Sequence, residues 1–436
     1  MKKHFIATTK KVLFDVIGEL ENDSSLFVKH PGKDFTRKRK LDFNTFMKFT
    51  LGMSGRSINK ELLDYFNFTT DAPSNSAYNQ QRSKILPEAF EFLFHEFTSR
   101  LKMNHFFHGY RLIACDGSNL SIASNPNDTE TRVKSNQFHV IVNRIHLNAF
   151  YDLMNRVYVD VLIQNWADKN ECLACTQMIN RSKLDEKVIL IADRGYENYN
   201  IFAHATEKNW NYLIRVKDIE SNGIISGLNL TEKGPLDKEV SMTFTRRQSK
   251  DTRKRGCKFM PTCQGFDFIP IGSKKEYTLN FRVVRFLIAE GTYETIITNI
   301  GEEIFPSEKI KEIYHLRWGI ETSFRELKYA IGLNNLHSKK VDYIKQEVFA
   351  KITMYNYCEA IITQVIIKQP NKTKLYQVNF TLSIFICREF LNNNRRLKPP
   401  DIVLLIQRNI LPIRPGRQDP RKVSVQKPVS FLYRVA

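Results

Sequence analysis

The clearest hydrophobic pattern in the chain lies between residues 310 and 332. Ile310, Ile313, Leu316, Ile320, Phe324, Leu327 and Ile331 recur at the three- and four-residue spacing of one apolar helix face. At about 100° per residue, Tyr314, Arg317, Glu321 and Lys328 fall at roughly 0°, 300°, 340° and 320°, a narrow stripe beside that band. The pattern predicts a helix that packs on a core while presenting one carboxylate among two cations and a phenol. Ser307 after Pro306 is placed to cap its start, Glu308 suits the positive end of its dipole, and Gly332 is placed to end it.

Upstream, the pattern changes twice. Residues 1–100 read as helical and basic, with Arg37-Lys-Arg-Lys40 followed by apolar positions at Phe43, Phe46, Met47 and Phe49. Ser54–Leu63 and Ser74–Arg82 each open like a polar helix start, which suits a helix-turn-helix-like DNA reader and equally a plain bundle. At Arg111–Ser118 a short apolar run ends in Asp116-Gly and reads as a buried strand that delivers a carboxylate at its end. Strand-like runs follow at Phe138–Tyr151 and Val157–Gln164, then a helix through Cys172 and Cys175. Lys187–Asp193 is a second strand with a terminal Asp. Ligands collect at strand ends of a helix-covered sheet, so Asp116 and Asp193 are candidates for a single site. Alternation at Val240–Thr245, Tyr277–Ala289 and Tyr293–Ile300 then predicts a β-rich insertion. Helix returns over Ile344–Lys368 and Val378–Asn392, before a Pro- and Arg-rich tail from Asn394 that is not expected to fold alone.

Charge narrows the choice of partner. The 436 residues carry 66 lysines and arginines against 46 acidic residues, a net charge of +20, which favours a polyanion and nucleic acid first. The densest run holds Arg246, Arg247, Lys250, Arg253, Lys254 and Arg255, read as a hairpin loop able to follow a phosphate backbone. No apolar stretch reaches the roughly 18 residues of a membrane span, and lysines interrupt the N-terminal apolar run. A cytoplasmic protein with no membrane partner is expected. The odd count of seven cysteines points to reduced thiols, and the C-x2-C at Cys172 and Cys175 lacks a second pair at zinc spacing. There is no P-loop, no H-E-x-x-H and no Gly-rich dinucleotide turn.

Two strand-end aspartates, a β-rich stretch and a helical Glu flanked by Tyr, Arg and Lys together resemble a DDE transposase of the bacterial insertion sequence 4 family. Its Y-x2-R-x3-E-x6-K signature is met at Tyr314, Arg317, Glu321 and Lys328. The D-G-[ST] context of Asp116, the D-R-G-Y of Asp193 and Ile297-Thr298-Asn299 are similar as well. The resemblance implies an α/β fold: a ribonuclease H-like catalytic domain interrupted by a β-rich insertion, with a helical N-terminal DNA-binding region. The corresponding segments are 1–100 (helical), 101–217 and 301–370 (catalytic), 218–300 (insertion) and 371–436 (helical region and basic tail).

For function, the resemblance implies cut-and-paste transposition in the nucleoid of a bacterium. Asp116, Asp193 and Glu321 would be catalytic and metal-binding, and Tyr314, Arg317 and Lys328 would contact DNA. The partners would be double-stranded transposon ends and target DNA, met by a homodimer in the synaptic complex. The residue chemistry agrees, because an all-oxygen donor set suits Mg²⁺, with Mn²⁺ as a substitute, and two ions about 3.5–4 Å apart serve both oxygens of an in-line displacement. One departure is that Trp166, Trp210 and Trp318 all lie outside the insertion, leaving Tyr293 as an aromatic there for a flipped base. Two other readings are a catalytically silent remnant that binds DNA and a ribonuclease H-like nuclease that cuts without joining.

Overall fold

The computed structural model describes residues 2–134, 141–219, 221–228, 230, 234–367, 375–392 and 400–413. Five helices come first: α1 (Lys2–Asn22), α2 (Phe43–Gly52), α3 (Ile58–Tyr65), α4 (Asn75–Arg82) and α5 (Glu88–Ser99). Strands β1 (Arg111–Ile122), β2 (Arg132–Lys134), β3 (Ile141–Asp152) and β4 (Val157–Asn165) follow, then α6 (Glu171–Arg181), β5 (Val188–Ala192), α7 (Tyr199–Glu207) and β6 (Asn211–Val216). The β-rich stretch holds β7 (Leu236–Thr245), α8 (Lys250–Lys254), β8 (Lys258–Phe259), β9 (Glu276–Ala289) and β10 (Thr292–Thr298). Next come α9 (Ser307–His315), α10 (Trp318–Glu326) and α11 (Val341–Ile362), and then β11 (Tyr376–Val378), α12 (Phe380–Asn392), α13 (Ile402–Arg408) and β12 (Ile410–Pro412).

One mixed sheet organises the chain, in the order β2-β3-β1-β5-β6-β10-β9-β7-β8 with β4 paired to β3. The β-rich stretch is present where alternation placed it, and it lengthens this sheet through the antiparallel pairing of β10 with β6. At its centre β1, β5 and β6 run parallel. All five residues of β5, Val-Ile-Leu-Ile-Ala, are buried, because helices cover both faces and no polar alternation is needed. On one face, Ile113, Cys115, Leu190 and Ala192 pack with α6 and α7. On the other, Leu112, Ile189 and Ile191 meet Ile310 and Ile313 of α9, while Ala114 and Leu120 share a core with Ile320 and Phe324 of α10.

The N-terminal helices belong to that second core. Leu13, Phe46, Phe90 and Phe94 cluster with Val348, Ile352 and Met354 of α11, a helix buried nearly all round. Arg82 of α4, without exposed surface, donates to Glu347 of α11 at 2.7 Å and to Gln346 at 3.1 Å. Glu347 also accepts from the backbone N–H of His337 at 2.9 Å. Burial alone would push Glu347 up, but Arg82 and His337 hold it well below the usual carboxylate range.

The helix read from the 310–332 pattern is broken. Arg317 and Ile320 donate to the carbonyls of Tyr314 and Arg317, three residues back, so the chain tightens between α9 and α10. Most of the apolar band survives the tightened turn, with Ile310, Ile313, Ile320, Phe324, Leu327 and Ile331 buried, but Leu316, at the break, is exposed rather than inward. Past Glu326 the helix widens into a π turn over Leu327–Ile331, and Gly332 ends it at φ +90°, as the sequence indicated. Ser307 does not cap: it is the first helical residue, and its hydroxyl donates to the Asp237 carboxylate instead. Of the C-terminal tail, residues 400–413 are described, and they fold against other segments rather than alone: α13 packs on α12 and β12 pairs with β11. Arg414, Arg417, Arg421 and Lys422 of that tail, Lys368, and the start of the Phe138–Tyr151 run lie outside the described residues.

Candidate active site

Adjacent parallel strands bring the two aspartates together. The last paired residues of β1 and β5 are Cys115 and Ala192, and the residues that follow are Asp116 and Asp193. Each carboxylate is steadied by the glycine just beyond it: Asp116 accepts from Gly117 N–H at 2.8 Å, and Asp193 from Gly195 N–H at 2.8 Å. Asp193 thereby caps a one-turn 3₁₀ segment, Arg194–Tyr196. Burial pushes Asp116 up to about 7, with the Asp193 and Glu321 carboxylates adding to the shift and the Gly117 N–H and Arg317 opposing it. Asp116 therefore feels both of the other candidate acids.

Glu321 reaches the site from α10, which crosses β1. Its carboxylate accepts from Arg317 at 3.0 Å, one helical turn earlier. Arg317 is 5% exposed, with its guanidinium over the rings of Tyr314 and Trp318 at 5.8 and 5.0 Å. Tyr314 is buried, its hydroxyl has no hydrogen-bond partner, and burial pushes it up to about 12. Lys328, in the π turn, donates to Ser118 Oγ at 2.6 Å and to the Asn119 carbonyl at 3.0 Å, and burial lowers its pKa. The four signature side chains thus stay near the two aspartates although their helix is broken: Asp193 acts on Tyr314, and Asp116 on Arg317 and Lys328. Among the described residues, no three His, Cys, Asp or Glu side chains stand close enough to hold one metal ion.

Behind Asp116 lies a polar group that no sequence pattern announced. His146 of β3 is opposite Asn119 of β1, and its Nδ1 is 2.8 Å from Asn119 Oδ1. Its Nε2 is 3.0 Å from Glu171 Oε1, in ion-pair range but off the line of a good hydrogen bond. Lys169 stands 3.1 Å from the same oxygen, and the imidazole with Lys169 holds Glu171 down at about 2.

The basic run divides. It is not a hairpin loop, because β7 and β8 are parallel and α8 connects them; Ser249 and Thr252 cap that helix reciprocally. Arg246 turns inward and donates to the carbonyls of Ile269, Pro261, Phe266 and Met260 at 2.7, 2.9, 3.1 and 3.3 Å. Arg255 pairs with Asp251 and Glu276. Arg247, Lys250, Arg253 and Lys254 remain exposed. They sit beside β7, five strand steps from β1, about 24 Å at the usual strand spacing. Tyr293 of β10 has the Arg285 guanidinium 3.8 Å from its ring centroid, so one of its faces is covered. Replacing Arg246 by Ala strands several carbonyls and is expected to cost about 2–4 kcal/mol of stability. Urea denaturation measures that loss, and DNA affinity should stay unchanged; a weaker affinity in a variant of normal stability would return Arg246 to the DNA surface.

Residues 107–357, more than half of the chain and including both aspartates and the whole signature, match the transposase DDE domain family. The chain belongs to that family. DNA transposition is accordingly the process this DDE domain serves. Among curated protein sequences, none matches the chain. Among solved structures it is similar to the piggyBac transposase in the cryo-EM structure of its synaptic complex with hairpin DNA. The identity there is 9% and the TM-score 0.48, over 95% of this chain and 87% of that one. No helix among the described residues of this DDE family member is long and apolar enough to cross a membrane.

Proposed function

We propose that the chain is an insertion-sequence transposase of the insertion sequence 4 type, moving DNA by cut-and-paste cleavage and strand transfer at transposon ends. The observation that carries this reading is the meeting of Asp116 and Asp193 just past the last paired residues of the neighbouring parallel strands β1 and β5, with Glu321 within electrostatic reach of Asp116 and Arg317 and Lys328 nearby. In this reading the sheet around β1 is the ribonuclease H-like catalytic core, and the exposed face of α4 (Asn75, Ser76, Asn79 and Gln80) offers side chains to base edges.

The donor chemistry suits a pair of Mg²⁺ ions, with Mn²⁺ as a substitute: all three are carboxylates, and the disfavoured charge on Asp116 gains from a cation beside it, although the three do not converge on one ion while Glu321 is tied to Arg317. Asp116, Asp193 and Glu321 would hold the metal. When bound, it supplies a more acidic attacking hydroxyl and a stabilised leaving oxygen. Arg317 binds a phosphate beside the scissile bond with its fork, which loosens its hold on Glu321 and frees that carboxylate for the site. Lys328 adds a point charge from the same face of β1, near Ser118, and the unpartnered Tyr314 hydroxyl donates to the same phosphate. A homodimer would present two such sites to two ends. The tie between Glu321 and Arg317 is also what favours the rival reading of a DNA binder that does not cut.

Incubating the protein with Mg²⁺, labelled end DNA and a target plasmid tests the proposal. Joined products support a transposase, cleavage without joining supports a nuclease, and binding without cleavage supports the silent remnant. Replacing Arg317 or Lys328 by Ala is expected to weaken end binding and lower the salt slope by about one unit each. Titrations at several salt concentrations measure this, and an unchanged slope in both variants removes the two residues from the DNA surface.

A further inference from the structure

The glycines that follow the two aspartates face one shared side chain. A Cβ on Gly117 would lie 2.9 Å from Glu171 Oε1, and 2.4 Å from His146 Nε2. A Cβ on Gly195 would lie 3.8 Å from Glu171 Oε2 and 3.0 Å from Asp193 Oδ1. Both glycines hold their aspartates through their own N–H groups, so Glu171 rests against the two turns that aim Asp116 and Asp193. Strand alternation puts Asp116 and Ser118 on the α10 side of β1, and Gly117 and Asn119 on the opposite side, where α6 packs. Contacts then run through the sheet without a gap. Lys328 grips Ser118 and the Asn119 carbonyl from one side, Asn119 meets His146 on the other, and His146 meets Glu171. Position at the first turn of α6 suits the Glu171 charge, and Asn170 caps that helix by accepting from Leu173 N–H at 2.9 Å.

We propose that Glu171 and His146 are a positioning pair that sets the spacing of Asp116 and Asp193 and ties it to the helix carrying Glu321. The proposal deepens the transposase reading and rests on it. Neither residue touches the reacting DNA; each acts through the glycine turns. A side chain at position 117 would push both members of the pair away, whereas a Cβ at 195 would only touch Glu171 and press instead on the Asp193 carboxylate.

The test compares wild type with Glu171→Ala, Glu171→Gln, His146→Ala, Gly117→Ala and Gly195→Ala. The readouts are Mn²⁺ affinity by electron paramagnetic resonance without DNA, end binding by gel shift in Ca²⁺, Mg²⁺-dependent cleavage, and melting temperature. Glu171→Ala, His146→Ala and Gly117→Ala should weaken Mn²⁺ binding and cleavage by about 10–100-fold, as loss of a group supporting metal ligands does. End binding and melting should stay near wild type. Gly195→Ala should show a smaller loss, and Glu171→Gln, which keeps the shape, should retain most of the Mn²⁺ affinity. Wild-type Mn²⁺ affinity in Glu171→Ala and Gly117→Ala would overturn the proposal. Equal and complete loss in Glu171→Gln and Glu171→Ala at unchanged melting would overturn it as well, since Glu171 would then be a metal ligand itself. If wild type neither binds Mn²⁺ nor cuts, the transposase reading fails first.

Discussion

Exchange of Glu321 for Ala is expected to reduce Mg²⁺-dependent cleavage of end DNA by on the order of 10⁴-fold, the scale seen when one member of a catalytic unit is removed. Asp116→Ala and Asp193→Ala should behave alike. The Asp193 and Glu321 carboxylates both raise Asp116, so a cation held there would answer to all three. Double variants should therefore be scarcely worse than single ones, because a site that fails as a unit has little left to lose. End binding should survive or tighten slightly, since each change removes a negative charge near the phosphates. Labelled-DNA cleavage run beside a gel shift separates the two effects. Normal cleavage by Glu321→Ala would end the catalytic assignment of that residue and with it the reading of the signature helix.

Arg82→Ala should be the most damaging single change for the fold, costing about 3–5 kcal/mol. The side chain is fully buried and holds Glu347, Gln346 and the Tyr343 carbonyl, joining α4 to α11. Without it, Glu347 stays buried as a charge supported mainly by His337. Part of the loss should return in Arg82→Leu combined with Glu347→Leu, where no buried charge is stranded. Urea titration followed by tryptophan fluorescence measures both, and a single variant within about 1 kcal/mol of wild type would show that the pair contributes little.

What the sequence disclosed depended on how local the signal was. Asp193 was legible because an apolar run that stops at Asp-Arg-Gly describes a strand and its end within a few residues; the same pattern found Asp116, although β1 runs on past it to Ile122 and only its pairing with β5 stops there. Glu321 was legible from helical spacing, but the same spacing hid the break at Leu316–Arg317, which exposes Leu316 and leaves the rest of the apolar band inward. The direction of Arg246 was illegible because a run of cations does not reveal that four carbonyls of the 260–269 segment curl around its first member. Glu171 and His146 were missed for a related reason. Only the register that sets Asn119 against His146, and the packing of α6 behind β1, brings them to the site, while the two cysteines beside Glu171 drew attention to a different chemistry. The joining of β10 to β6 was equally out of reach, being a pairing between distant segments.

The placement of α11 also governs the order in which the molecule can assemble. Helices α1, α2 and α5 enclose hydrophobic surface whose main counterpart is a segment synthesised some 250 residues later, after every strand of the large sheet. On the ribosome, then, the amino-terminal helices wait with apolar faces uncovered. Such a species is prone to aggregate, and its core cannot close until the last turn of α11, ending at Ile362, has been made. A message cut short between Glu321 and the end of that helix yields a polypeptide that contains all three candidate acids and still lacks the centre around which they are held.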